Sequence, residues 1–307
     1  MRRILDLSIH YESLIIWQRL SEDLYQGQNH FLMELIQNAD DNSYDGFDSS
    51  SNPLIPTLKV AYKANSLRID CNERGFSEKD MAAICSLGDS TKKQGKVNAD
   101  SIQHIGEKGI GFKAVFKAAD VVWIASRSYS IKFDKHKRLG MIAPIWAEFP
   151  EARIDKHTSF YLQLSKGFDQ QKLVENLKSI EPAVLLFLRK LRKIQLAVAP
   201  GEYGEGWETT FSNNSRGEAD DEQITLMQGD TPLRYIIRRH MVNTPPSEPK
   251  RQGYSRSEIT LAFPIVSDDE QKIKIQKVYA FLPIREYGFT VRTKLSTNRS
   301  RRELQRG

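Results

Sequence analysis

The chain has 307 residues, 27% charged and 39% hydrophobic, a globular balance that excludes wholesale disorder and, at roughly 150 residues per domain, suggests two domains. No stretch reaches the roughly 20 apolar residues that span a bilayer. Asp6, His10 and Glu12 interrupt any apolar leader, and two cysteines, Cys71 and Cys85, exclude a disulfide framework, so the expected compartment is the cytoplasm or nucleus with no membrane partner. The formal charge of +6 lies almost wholly in residues 292–307, RTKLSTNRSRRELQRG, which hold no aromatic residue; this reads as a solvated basic tail and not as a nucleic-acid groove.

In chain order, residues 11–42 read as helix, with apolar residues at helical spacing in Phe31-Leu32-Met33-Glu34-Leu35-Ile36. Leu58–Tyr62 and Ser66–Asp70 alternate like strands around a turn at Lys63-Ala64-Asn65, and residues 78–87 read as a short helix. Residues 88–105 are polar and almost aperiodic, as functional lids often are. After a glycine-rich stretch and a short apolar helix to Ala119, Val121–Ser126 pairs with Ser130–Phe133, and Phe160–Leu164 is another strand. Residues 169–192 carry Leu173, Leu177, Val184, Leu185, Leu188 and Leu191 at helical spacing, divided near Pro182. Strand-like runs follow at Ile224–Met227, Leu233–Ile237, Ile259–Ile265 and Val278–Pro283, with no internal repeat.

Two features carry chemistry. Helical residues advance about 100° each, so Glu34, Asn38 and Asp41 fall on one narrow polar stripe, with Leu32, Leu35, Ile36 and Ala39 on the core-facing side. Taken alone, the stripe reads first as the solvated face of a surface helix and does not decide the matter. Gly106, Gly109 and Gly111 form G-x-x-G-x-G before the short helix; converging backbone N–H groups and a helix start suit a phosphate, but glycine clusters are also common turns. The Rossmann order and Walker A both fail, the first because no strand precedes the loop, the second because Phe112-Lys113-Ala114 follows it.

The ordered set is more specific. HFLMELIQNADDN (30–42), NERGFSEKDMAAICSLGDSTKK (72–93) and HIGEKGIGFKAVF (104–116), with LSEDLY (20–25), resemble the ATP-binding module of the GHKL superfamily, the Bergerat fold, nearest to the sacsin and No Vein-like group. The resemblance implies an α+β fold: a two-layer α/β sandwich over residues 1–165, a helical connector over 166–200, a smaller β-rich domain over 201–291, then the tail.

It also implies roles. Glu34 would be the general base toward the attacking water, Asn38 the ligand of Mg²⁺, and Asp41 a residue near the nucleotide. Glu73, Gly75 and Phe76 would form the adenine loop, Glu73 accepting from the adenine amino group and Gly75 letting the backbone pass close. Gly106, Gly109, Gly111 and Phe112 would face the phosphates with backbone amides, Lys92 and Lys113 would neutralise their charge, and Thr158 would stand near adenine on a later strand.

The implied activity is slow Mg-ATP hydrolysis driving a chaperone-like or conformational switch, with a protein client and a homodimer among the implied partners. The alternative is a non-hydrolysing ATP-binding regulatory or scaffold module. The sequence departs from the pattern in three places. Glu73 is one methylene longer than the usual aspartate, and Ser77 stands where a second glycine is usual. After Gly288-Phe289 the tail replaces the family's next motif, which a shifted frame or truncated gene model near residue 290 would explain. Arg285 and Arg299 are candidates for a cation reaching the γ-phosphate.

Overall fold

A computed structural model describes residues 30–44, 54–85, 111–214, 223–243, 256–265, 275–280 and 282–290. The chain divides into two compact units, one of residues 1–180 with 188–209, the other of 181–187 with 210–307.

In the first unit, helix α1 (His30–Asp41) precedes β1 (Thr57–Lys63) and β2 (Ser66–Cys71). These two strands pair antiparallel in the expected hairpin, and the turn residues Ala64 and Asn65 both have positive φ, at 36° and 66°. That handedness matches the twist of the flanking strands. Helix α2 (Glu78–Cys85) starts at Ser77, whose N–H and hydroxyl both reach the Asp80 carboxylate (2.9 and 2.7 Å). Ser77, where the family pattern has glycine, is therefore the helix cap.

A 3-10 helix (Gly111–Lys117) leads into β3 (Ala119–Ser126) and β4 (Tyr129–Asp134), a second hairpin whose first turn residue, Arg127, has φ 50°. The short β5 (Ile145–Trp146), then β6 (Thr158–Leu164), helix α3 (Gln170–Lys178) and β7 (Lys193–Val198) follow. Asp169 caps α3, its carboxylate accepting the Lys172 N–H at 2.8 Å.

Period-two alternation combined with the pairing register gives one apolar sheet face. Ile194, Leu196 and Val198 stand beside Leu58, Val60 and Tyr62; these face Cys71, Ile69 and Leu67, then Thr158, Phe160 and Leu162. Val122, Ile124, Ile131 and Phe133 complete the row. The 3-10 helix covers part of this face, Phe112 and Phe116 both touching Phe133, and α1 packs on that helix with Phe31, Leu32, Leu35 and Ile36 all buried. Each such side chain contributes about 1.5–3 kcal/mol on burial.

The second unit holds the 3-10 helix Pro182–Leu186 and the strands β9 (Gln223–Gln228), β10 (Thr231–Asn243) and β11 (Arg256–Pro264), all antiparallel, together with the hairpin of β12 (Ile275–Ala280) and β13 (Leu282–Thr290). Gly229, with φ 58°, is the first of two turn residues between β9 and β10, the position where a hairpin of this kind needs glycine.

The expectation of a two-layer α/β sandwich followed by a helical connector and a smaller β-rich domain is corrected. Including β8 (Trp207–Asn213), strands β1 to β11 hydrogen-bond as one mixed eleven-stranded sheet in the order β11-β10-β9-β8-β7-β1-β2-β6-β3-β4-β5. Only three α-helices occur among the described residues. The supposed connector breaks after Lys178. Beyond Leu191 its apolar residues change to the strand period at Ile194, Leu196 and Val198, and that segment becomes β7, parallel to β1. Leucines at helical spacing cannot reveal that switch, because short apolar runs suit either element.

Candidate functional site

The site is built where β2 ends. Asn72 closes the β1–β2 ladder with its side chain, accepting from Thr57 N–H at 2.7 Å and donating to the Ile55 carbonyl at 2.9 Å. The chain then turns inward and buries the carboxylate of Glu73, which is 3% exposed. Its Oε2 accepts the Gly75 N–H at 2.9 Å, and its Oε1 accepts the Thr158 hydroxyl. Thr158 lies beside Cys71 on β6 because of the β2–β6 register and is 1% exposed.

Thr158 spends its one hydroxyl hydrogen on Glu73, so Ser126, 2.7 Å away, donates to Thr158; Ser126 in turn accepts the Phe76 N–H at 2.8 Å. The chain of donors runs Phe76 to Ser126 to Thr158 to Glu73. Every hydrogen points toward the carboxylate, which is left as an acceptor. Burial pushes the Glu73 carboxyl above its ordinary range, against the pull of its hydrogen bonds from Thr158 and Gly75.

Gly75 has φ 86°, and a Cβ there would sit 2.6 Å from Arg127 Cγ. Arg127 is itself left-handed and ties the β3–β4 turn to the loop, donating from Nε to the Arg74 carbonyl at 2.8 Å. The Phe76 ring meets Phe160 edge-on at 6.2 Å.

The loop is joined to α1. Arg74 N–H donates to the Ser43 carbonyl at 2.9 Å. The Tyr44 hydroxyl donates to the Ala39 carbonyl at 2.7 Å, leaving the contact with Cys71 Sγ at 3.2 Å for the thiol hydrogen. Burial pushes the Tyr44 phenol well above its usual range and the Cys71 thiol up to about 12.

On α1, Glu34 and Asn38 are half-buried, while Asp41, on the same stripe, is 3% exposed and paired with Arg189. Its neighbour Asp40 accepts three backbone N–H groups, from Arg189, Lys190 and Leu191, at 2.9, 2.8 and 2.8 Å. The stripe is thus no solvated face at its C-terminal end.

Gly111 opens the 3-10 helix, and the half-buried Phe112 packs between Phe116, Phe133 and Phe160, with ring centroids 6.1, 5.7 and 6.0 Å away. Lys113 gives its ammonium to the carbonyls of Ile84, at 2.6 Å, and Met141, and lies over the Phe112 and Phe133 rings. Burial pulls its pKa down to about 8. Lys92, Gly106 and Gly109 lie outside the described residues, as do the lid-like stretch 88–105 and Arg299. Arg285 lies on β13 in the second unit.

The structure therefore brings Glu73, Gly75, Phe76 and Thr158 into one hydrogen-bonded cluster and ties α1, with Glu34 and Asn38, to its edge. Sequence reasoning missed Ser126, whose only signal is its place at the end of a strand, and Arg189, which stands in the basic run Arg189-Lys190-Leu191-Arg192-Lys193 that gives no hint of burial. Among the described residues, no three His, Cys, Asp or Glu side chains gather as a metal cluster, and no helix is long and apolar enough to cross a membrane.

Comparison with known proteins adds two findings. The family profile described as the Sacsin domain matches residues 16–170. Protein NO VEIN of Arabidopsis thaliana is 27% identical over 297 residues, a match that covers 88% of this chain and 10% of that protein. The chain thus spans about a tenth of the length of this curated relative.

Proposed function

The chain belongs to the sacsin-domain family, and from the cluster at the end of β2 we infer that it binds Mg-ATP, in the manner of GHKL modules, and hydrolyses it slowly. The observation that carries this reading is the donor chain from Phe76 through Ser126 and Thr158 to Glu73. A buried carboxylate whose inner partners all donate to it retains lone pairs for a ligand that brings a further donor, as the exocyclic amino group of adenine does. A carbonyl at the same position would meet acceptor against acceptor, so the site is suited to adenine over guanine. Gly75, with a positive φ and no Cβ to meet the Arg127 side chain, permits the turn in which its own N–H reaches the Glu73 carboxylate.

Glu34 and Asn38 lie one helical turn apart on a helix joined to this loop through Ser43 and Tyr44. That spacing suits a carboxylate that orients and deprotonates water next to an amide oxygen that holds a cation. Mg²⁺ is commonly held by one or two side chains together with substrate phosphates, and Asn38 fits that mode. When bound, the ion would neutralise phosphate charge. The half-burial of Glu34 and Asn38 leaves both partly accessible to a ligand.

Calorimetric titration of Mg-ATP into the protein is the direct test. One saturable site, lost in Glu73→Ala, supports the reading; no heat of binding by the wild-type protein overturns it. Hydrolysis is tested separately in Glu34→Ala, which should still bind ATP while turnover falls to background. Binding without turnover in the wild-type protein would instead favour the regulatory, non-hydrolysing module.

A further inference from the structure

We propose that the tripeptide Arg189-Lys190-Leu191 is a positioning clasp that sets the roll of helix α1 and hence the aim of Glu34 and Asn38. The proposal rests on the ATP-site reading above for its consequence, though not for its geometry. Three consecutive residues make every contact of the clasp. The Arg189 guanidinium pairs with the Asp41 carboxylate. The N–H groups of Arg189, Lys190 and Leu191 converge on Asp40. The Lys190 ammonium donates to the Asp41 and Asn42 carbonyls at 3.2 and 2.6 Å, where the last turn of α1 leaves carbonyls without a helical partner.

The arrangement restrains rotation as well as position. An apolar face packed through Leu32, Leu35 and Ile36 resists translation, but small rolls about the helix axis change such contacts little. Asp40 and Asp41 project about 100° apart around that axis. Holding both at once, from one rigid peptide segment, leaves no roll that keeps both sets of bonds. Asp41 shares the stripe of Asn38 and Glu34, so the roll it fixes is the one that decides where those two side chains point. Asp41, expected from the sequence to stand near the nucleotide, is on this account a positioning residue, and Arg189 is its partner. Misplacement of about 1 Å at a reacting group can cost around a hundredfold in rate, so a loose roll is costly even where the fold survives.

The test compares Arg189→Ala and Arg189→Lys with the wild-type protein by steady-state ATP hydrolysis and by hydrogen exchange of the α1 amides. The expected result for Arg189→Ala is a kcat reduced about 10- to 100-fold with KM within about twofold, together with faster exchange in the last turn of α1 and unchanged exchange in β2. Arg189→Lys keeps the charge but not the planar fork and should recover part of the rate; it also takes the place of the alanine variant should that protein not fold. Unchanged kcat, unchanged exchange in α1, or equal losses of kcat and affinity would each overturn the clasp. Absence of ATP binding by the wild-type protein would refute the nucleotide reading instead, and the exchange measurement would still judge the clasp.

Discussion

Thr158 donates its hydroxyl hydrogen to Oε1 of Glu73 across 85 positions of the chain. The contact exists because β2 and β6 pair with Cys71 opposite Thr158, so that the residue two beyond the end of one strand meets the first residue of the other. It gives the buried carboxylate an internal donor and fixes which of its lone pairs remain for a ligand. Replacing Thr158 by Val removes that donor at nearly constant shape. ATP affinity should fall by about 10- to 150-fold, the worth of about 1.5–3 kcal/mol for a hydrogen bond to a charged acceptor, and Ser126→Ala should weaken binding less. Calorimetric titration of both variants checks the order.

Glu73 also predicts a dependence of stability on pH. Its folded pKa is raised above the unfolded value by burial. Between the two values the native protein holds a proton that the unfolded chain has lost, so stability falls as pH rises through that window. The contribution is fully present below the ordinary glutamate value of about 4.3 and is gone above the raised folded value. Glu73→Gln cannot titrate and should flatten that part of the curve. Urea unfolding from pH 4 upward, about 0.5 pH apart, compares the two proteins; parallel curves would count against the buried, perturbed carboxyl.

At Gly75 two separate penalties meet. Alanine there must adopt a φ of 86° and place its Cβ 2.6 Å from Arg127 Cγ. Gly75→Ala should destabilise the protein by about 1–3 kcal/mol. Adding Arg127→Gly relieves the clash and the positive φ of residue 127 but not that of residue 75, so the double variant should recover only part of the loss. Denaturant midpoints of the four proteins of this cycle measure both parts.

Asp40 is an acceptor for three backbone N–H groups, and Asp40→Ala leaves them without it. At about 1–3 kcal/mol for each buried group left unsatisfied, with water reaching the less buried ones, a loss of about 2–4 kcal/mol is expected. Asp40→Asn keeps one oxygen acceptor and should cost less. Thermal or urea unfolding distinguishes the two.

Cys71 should be unreactive in the folded protein. Its thiol is buried and its pKa is pushed up to about 12, so almost no thiolate forms near neutral pH. Its labelling by a disulfide reagent should follow global unfolding and accelerate in urea, whereas the half-buried Cys85 should label sooner. Mass spectrometry of the labelled peptides assigns each rate.

Local pattern made much of the first unit legible. Alternation at Leu58–Tyr62 and Ser66–Asp70 around Lys63-Ala64-Asn65 predicts the β1–β2 hairpin, and the structure has it, with Lys63 as the last residue of β1 opposite Ser66. The apolar face of α1 follows from the spacing of Leu32, Leu35, Ile36 and Ala39, all buried. The break near Pro182 is also visible in sequence, the α-helix ending at Lys178 and a 3-10 helix beginning at Pro182. Sheet membership was not legible. The residues of β7 stand next to a leucine-rich helical pattern, and nothing local says that Lys193–Val198 will run parallel to β1.

The sequence by itself determined the types and order of most elements, whereas Glu73, Gly75, Phe76 and Thr158 are grouped as one site through the family resemblance alone. The element types depend on spacing along the chain, which side-chain period and turn chemistry convert directly into local structure. Only the tertiary structure decided that β1 to β11 join one sheet, that Ser126 supplies the missing link in the donor chain to Glu73, and that Asp40 and Asp41 are held by residues about 150 positions away. Strand order, hydroxyl direction and the partner of a buried carboxylate depend on which distant segments meet, and no period along the chain encodes that meeting.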